Sequence, residues 1–216
     1  VVISLGPASH DIGALSGMSL DEATRTLEQL YITSSGDPSQ VFTDTPAGSV
    51  VAASITPPRG GDAVDCTKGC AAFEGSTVSF EVSAGAIPDV SGRSVGDATS
   101  ALAAVRLSVT TDEEYSDDVA EGKVIRVTES ESPVRPGDTV TLVVSKGPEP
   151  IEIPSDVVGS TIRDAVDTLE ALGFKVNAGI EDGDLPLGFR YWDVYKVRAT
   201  NPKAGTSAPK GSTITL

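Results

Sequence analysis

The chain has little with which to do redox, metal or acid–base chemistry. Among its 216 residues are two cysteines, one histidine, one tryptophan and one methionine, and only 5% of residues are aromatic. Two cysteines cannot supply the four soft ligands that a structural zinc site wants. His10 is the single histidine and lies in a Pro/Ser/Gly-rich segment, so a Ser-His-Asp relay has no supporting motif. There is no glycine-rich phosphate loop and no helix-borne metal motif, so no cofactor and no catalytic role are expected of this stretch. Bases are scarce too: 16 Lys and Arg stand against 31 Asp and Glu, a net charge of -15 that would repel nucleic-acid phosphates. No apolar run is long enough to span a bilayer, and no signal peptide is visible. A membrane would be reached only through a segment outside this sequence.

Glycine and proline, at 22 and 14 residues, are plentiful, and three of the glycines mark a repeat. A hydroxyl residue stands two places after Gly17, Gly92 and Gly159, and apolar residues follow three, six, ten and thirteen places after each. The apolar sets are Leu20, Ala23, Leu27 and Leu30; Val95, Ala98, Leu102 and Val105; and Ile162, Ala165, Leu169 and Leu172. Steps of three and four place each set on one face of an α-helix. Ser19, Ser94 and Thr161 stand where a hydroxyl can accept from a free backbone N–H. Glu22, Asp97 and Asp164 follow three residues later, Glu22 completing a capping box and the aspartates favouring the positive helix end. The spacing predicts helices at about 20–30, 95–105 and 162–172.

A second signature closes each unit: Gly75 to Phe80, Gly137 to Leu142 and Gly211 to Leu216, each alternating hydroxyl and apolar residues after a turn glycine. Such a segment reads as a strand with one wet and one dry face. Leu107–Val109 with Val124–Val127, and Phe174–Val176 with Tyr195–Val197, read as further strands. The fold class expected is α+β: a linear array of small units, each one helix on a roughly three-stranded sheet. The glycines are 75 and 67 residues apart, far beyond a solenoid period, so each unit is expected to fold by itself around a modest core.

Ile87-Pro88-Asp89-Val90-Ser91-Gly92, the helix after Ser94, the turn Asp118 to Ile125 and the stretch Gly137 to Gly147 together resemble a PASTA repeat. The third unit fits through Ile153-Pro154, Val157-Val158-Gly159, Pro186, Asn201-Pro202 and Ala204-Gly205, with extra residues around Trp192. The first diverges most, lacking the Pro-Asp-Val opening and carrying an insertion around residues 59–72. The family occurs as extracellular tandem repeats on bacterial membrane-spanning Ser/Thr kinases and on some penicillin-binding transpeptidases. The resemblance therefore implies a non-catalytic sensor region on the outer side of the plasma membrane, within the cell wall. On the same resemblance it is expected to bind peptidoglycan fragments or wall precursors and to promote receptor clustering and kinase activation, with a weak homodimer through ligand compatible with that. The alternatives are the same module on a transpeptidase, or a passive spacer.

Val2-Ile3-Ser4-Leu5-Gly6-Pro7 matches Val143-Val144-Ser145-Lys146-Gly147-Pro148. Residues 1–7 are accordingly expected to be the tail of a preceding repeat or a linker, followed by repeats at 8–84, 85–147 and 148–216, the whole being part of a longer array. Prolines in the short linkers favour an extended succession of units. Cys66 and Cys70 lie in the first repeat's insertion; in an oxidising compartment they would form a local disulfide, with two free thiols as the alternative.

Charge is unevenly spread. From residue 186 onward Arg190, Lys196, Arg198, Lys203 and Lys210 face Asp193 alone, a local net of +4 against -19 for the rest. Phe189, Tyr191, Trp192 and Tyr195 are interleaved with these bases. Rings stack on apolar sugar faces and arginine grips carboxylates bidentately, so Arg190, Tyr191, Trp192, Tyr195, Lys196 and Arg198 are the candidate ligand contacts. Packing of the rings over an extended loop is the competing reading. The acidic runs Asp112-Glu113-Glu114 with Asp117-Asp118, and Glu181-Asp182-Gly183-Asp184, do not match a calcium loop and read as solvated.

Overall fold

A computed structural model describes residues 6–178 and 192–216. The chain divides into two compact units, Val1–Val90 with Gly96–Thr110 and Thr128–Thr141, and Ser91–Val95 with Thr111–Val127 and Leu142–Leu216.

The first repeat runs β1 (Ser9–Ile12), α1 (Leu20–Glu28), β2 (Thr33–Ser34), β3 (Ser39–Val41), β4 (Val50–Thr56), β5 (Val64–Asp65), β6 (Cys70–Phe73) and β7 (Thr77–Ser83). The closing strand β7 is central: it pairs parallel with β2 and β3 and antiparallel with β4, whose far side takes β5. Ala23 and Leu27 of α1 bury against Ile32, Ile55, Val78 and Phe80. The middle repeat holds α2 (Val95–Ala104), β8 (Ser108–Glu114), β9 (Val124–Glu129) and β10 (Thr139–Ser145), again with the closing strand between the other two. In the third repeat β11 (Pro150–Glu152) precedes α3 (Ile162–Ala171), β12 (Lys175–Asn177), β13 (Ser207–Pro209) and β14 (Thr213–Thr215). Here β12 pairs parallel with β14 and β11 antiparallel with β13. The strand expected at Tyr195–Val197 does not form; Lys196 makes only an isolated bridge to Thr161, and Asn201 one to Thr215.

The three helices begin where the hydroxyl spacing places them. Ser19 Oγ accepts the Glu22 N–H at 3.3 Å and Thr161 Oγ1 the Asp164 N–H at 3.1 Å. They end one or two residues early because the last turn tightens: the Leu30 N–H reaches Leu27 O and the Val105 N–H reaches Leu102 O, each three residues back. The next residue turns left-handed, at Tyr31 (φ 58), Arg106 (φ 64) and Gly173 (φ 88). Its carbonyl accepts the N–H of the turn glycine that opens the closing strand, Gly75 at 2.8 Å, Gly137 at 2.7 Å and Gly211 at 2.9 Å. One left-handed residue per repeat thus ties helix end to sheet, and Leu27, Leu102 and Leu169 carbonyls receive Ile32, Leu107 and Phe174 in the same way.

Cys66 and Cys70 are joined as a disulfide. The insertion contributes two residues to the core: Cys66 is fully buried and Ala72 nearly so. Thr67 O accepts from both Leu15 and Ser16 at 3.1 Å, and Gly69 presses so close that a Cβ there would lie 2.8 Å from Ile12 O. The Thr67 hydroxyl and amide, bonding its carboxylate, hold Asp65 below the ordinary aspartate value.

Candidate functional site

The aromatic and basic segment of the third repeat is moored to the start of α3. Trp192 O accepts the Arg163 N–H at 3.2 Å, Tyr195 O accepts the Ile162 N–H at 3.0 Å, and Val197 exchanges backbone bonds with Gly159 and Ser160. The bonds to Trp192 O and Tyr195 O use helix-terminal N–H groups that have no partner within the helix. The Arg163 side chain pairs with Asp193, which raises the Arg163 pKa through a hydrogen bond and opposite charge. That pair occupies the one acid of the segment.

The anchoring sets what each candidate residue offers. Tyr195 is 55% exposed and its neighbour Val194 72%, while Trp192 is half-buried and Val197 buried. Lys196 and Arg198 are exposed, and among the described residues they pair with no carboxylate. Alternation about the buried Val197 separates them along the backbone, yet both line one cleft of about 470 Å³ with Ile162, Asn201, Thr215 and Leu216. Trp192 and Tyr195 are not among its walls. Arg190 and Tyr191 lie outside the described residues. Asn201 and Thr215 were read in the sequence only as repeat and strand positions; that they meet as walls of this cleft depends on the bridge between them.

Elsewhere, three of the five acids in the acidic run of the middle repeat are paired with cations. Arg126 meets Glu114 at 2.5 Å, Lys146 meets Glu113 at 3.8 Å and Lys210 meets Asp117 at 2.6 Å. Among the described residues no three His, Cys, Asp or Glu side chains gather as a metal site. Nor is any described helix long and apolar enough to cross a membrane.

The PASTA domain model matches residues 85–146 and 153–216, more than half of the chain. The chain belongs to the PASTA family. Probable serine/threonine-protein kinase PknB of Corynebacterium glutamicum is 40% identical over 135 residues, covering 61% of this chain and 20% of that protein. A probable serine/threonine-protein kinase of Streptomyces coelicolor is 35% identical over 152 residues, covering 66% and 22%. The chain therefore spans about a fifth of the length of these relatives. Among solved structures, the entire extracellular region of the Ser/Thr kinase PrkC from Staphylococcus aureus aligns with 94% of this chain and 68% of its own, at 22% identity and a TM-score of 0.39.

Proposed function

We propose that this PASTA region is the extracellular sensor of a receptor-type bacterial Ser/Thr kinase, and that its third repeat binds peptidoglycan fragments. The observation that carries the reading is the pairing of kinase relatives with a cationic, ring-bearing segment whose lysine and arginine have no carboxylate partner among the described residues. The disulfide supports placement outside the cytosol, where such bonds persist. A fragment combining sugar rings and stem-peptide carboxylates offers stacking faces to Trp192 and Tyr195 and anions to Lys196 and Arg198. Occupancy on neighbouring receptors would raise their local concentration and favour phosphorylation between kinase domains inside the cell.

The test is a titration of the isotope-labelled 216-residue chain with a disaccharide stem-peptide fragment. Shifts are expected at the Trp192 indole and through Tyr195 to Arg198, and Trp192→Ala or Arg198→Glu is expected to weaken binding by about tenfold or more, the value of a charge-assisted contact. Silence at millimolar ligand across this segment would end the site assignment while leaving family membership untouched.

A further inference from the structure

The junctions that follow the first and second repeats share one backbone plan but differ in charge. The Thr43 N–H donates to Gly85 O at 3.0 Å and the Ser116 N–H to Gly147 O at 2.9 Å; the Ala84 N–H donates to Val41 O at 2.7 Å and the Lys146 N–H to Glu114 O at 2.9 Å. Phe42 is thereby the counterpart of Tyr115, Asp44 of Asp117, Glu81 of Val143 and Ala84 of Lys146. In the second junction the carboxylate and the ring each hold an ammonium. Lys210 Nζ lies 2.6 Å from Asp117 Oδ2, and Lys146 Nζ stands 5.0 Å from the centre of the Tyr115 ring. Asp117 raises the Lys210 pKa, by hydrogen bond and then by charge. In the first junction Ala84 replaces Lys146, and Arg135 goes to Glu81, where the second repeat has the buried, apolar Val143. Asp44 is exposed and, among the described residues, pairs with no cation. Beside it is a cleft of about 270 Å³ walled by Phe42, Thr43, Asp44, Ala86, Ile87 and Glu129. Glu129 likewise pairs with no cation among the described residues.

We propose that this cleft of the first junction binds a primary alkylammonium of the lysine type, with Asp44 and Glu129 answering the charge and Phe42 and Ile87 packing against the stem. The two positions that hold lysine ammonium groups in the second junction, the carboxylate and the ring, are both walls of this cleft. A carboxylate accepts from an ammonium about twice as strongly as a neutral acceptor would, and a ring face favours the same charge. The aliphatic stem of a lysine-type group covers apolar surface while its head stays with the carboxylates. An anionic ligand would meet two like charges here. The third-repeat segment is basic where this cleft is acidic, so the two sites select opposite charges and neither depends on the other.

The experiment titrates the isotope-labelled 216-residue chain with Nα-acetyl-lysine methylamide and, in parallel, with Nα-acetyl-norleucine methylamide, which has the stem without the charge. Saturable amide shifts are expected at Phe42, Thr43 and Ile87 with the lysine probe, at roughly millimolar affinity, and at least about tenfold weaker binding of the norleucine probe. Asp44→Asn combined with Glu129→Gln keeps the side-chain shapes at two exposed positions and is expected to weaken the lysine probe by about tenfold or more. Unchanged spectra outside this junction confirm that the variant is folded. Equal response to the two probes, undiminished binding by the double variant, or no shift at about 50 mM lysine probe overturns the proposal.

Discussion

Glu81, on the closing strand of the first repeat, holds Arg135 of the second through a 2.6 Å contact between Oε1 and Nη2. The Asp138 carboxylate fixes the same arginine from behind by accepting its backbone N–H at 2.7 Å, and the Phe42 N–H donates to the neighbouring Val134 O at 2.8 Å. Lys210 of the third repeat makes the corresponding reach back to Asp117 of the second. The second and third repeats thus each hand one cation, from the turn just before the closing strand, to a carboxylate of the preceding repeat. Both pairs are exposed enough to be screened by salt, and the Glu81–Arg135 pair is worth at most about 1 kcal/mol. Glu81→Gln and Arg135→Gln are each expected to cost less than about 1 kcal/mol by denaturant melts, an effect that fades at molar salt. The exchanged pair Glu81→Arg with Arg135→Glu should recover most of the loss; equal losses in all three variants would show that the contact contributes through packing alone.

The left-handed residues that end the helices offer a second test. Tyr31 and Arg106 sit at positive φ where Gly173 serves in the third repeat, and a side chain there costs roughly 1–2 kcal/mol. Glycine recovers that strain but loses about 0.5–1 kcal/mol to the greater freedom of the unfolded chain. The relief of strain outweighs that loss, so Tyr31→Gly and Arg106→Gly are each expected to raise stability by a few tenths to about 1 kcal/mol. Gly173→Ala should lower it by a similar amount. Its new Cβ would also come within 3.3 Å of Lys210 Cγ, a flexible stem that can give way. Thermal melts of the single variants decide the signs.

These positions show where sequence reading runs out. The helices were legible because Ala23 with Leu27, Ala98 with Leu102 and Ala165 with Leu169 stand at helical spacing, and the closing strands because hydroxyl and apolar residues alternate after a glycine. Tyr31 and Arg106 were not legible, since neither residue type advertises a left-handed backbone. Tyr195–Val197 looked like a strand from its composition, but its backbone bonds go to the start of α3, which leaves one residue to bridge. The sequence placed an insertion around Cys66 but did not show that Cys66 and Ala72 join the core, which depends on the Thr67 bonds to Leu15, Ser16 and Ala53. Of the candidate site, the charge and ring content could be read directly. That Lys196 and Arg198 share a cleft with Asn201 could not, because that meeting depends on tertiary pairing.

The disulfide loop should respond to reduction in one repeat alone. Closing so short a loop is worth about 2 kcal/mol by chain entropy. Reduction is expected to remove that much stability from the first repeat and to speed amide exchange at Leu15 and Ser16, which donate to Thr67 O inside the loop. Exchange in α3 and β14 should not change. Loss spread evenly over all three repeats would show that they unfold as one cooperative body instead.

Acid should loosen the same loop through Asp65. Its carboxylate pKa is lowered in the folded state by the Thr67 hydroxyl and then the Thr67 amide. A depressed folded value means the contribution is complete above the ordinary aspartate range and is lost as pH falls through the folded value. A carboxyl titration by NMR should therefore find Asp65 below the ordinary aspartate value, with the Thr67 amide shift following the same curve. Asp65→Asn should remove that acid sensitivity; persistence of the Thr67 titration in this variant would assign it to another group.

Two buried serines close the repeats onto their linkers, and they support the largest single effect expected. Ser145 Oγ donates to Val119 O at 2.6 Å and accepts the Gly147 N–H at 2.9 Å. Ser83 Oγ donates to Thr45 O and accepts the Gly85 N–H, both at 2.9 Å. Both glycines stand at positive φ, and the Thr43 and Ser116 amides donate to their carbonyls. One hydroxyl thus fixes where each closing strand turns into the linker. Ser145→Ala would leave the Gly147 N–H and Val119 O without this partner in a buried setting, which costs about 1–3 kcal/mol. Ser83→Ala is expected to cost as much in the first repeat. Exchange at Gly147 should quicken in Ser145→Ala and exchange at Gly85 should not, with the reverse in Ser83→Ala. Alanine tolerated at both positions with linker exchange unchanged would show that the glycine turns are held by their carbonyl bonds to Thr43 and Ser116 alone.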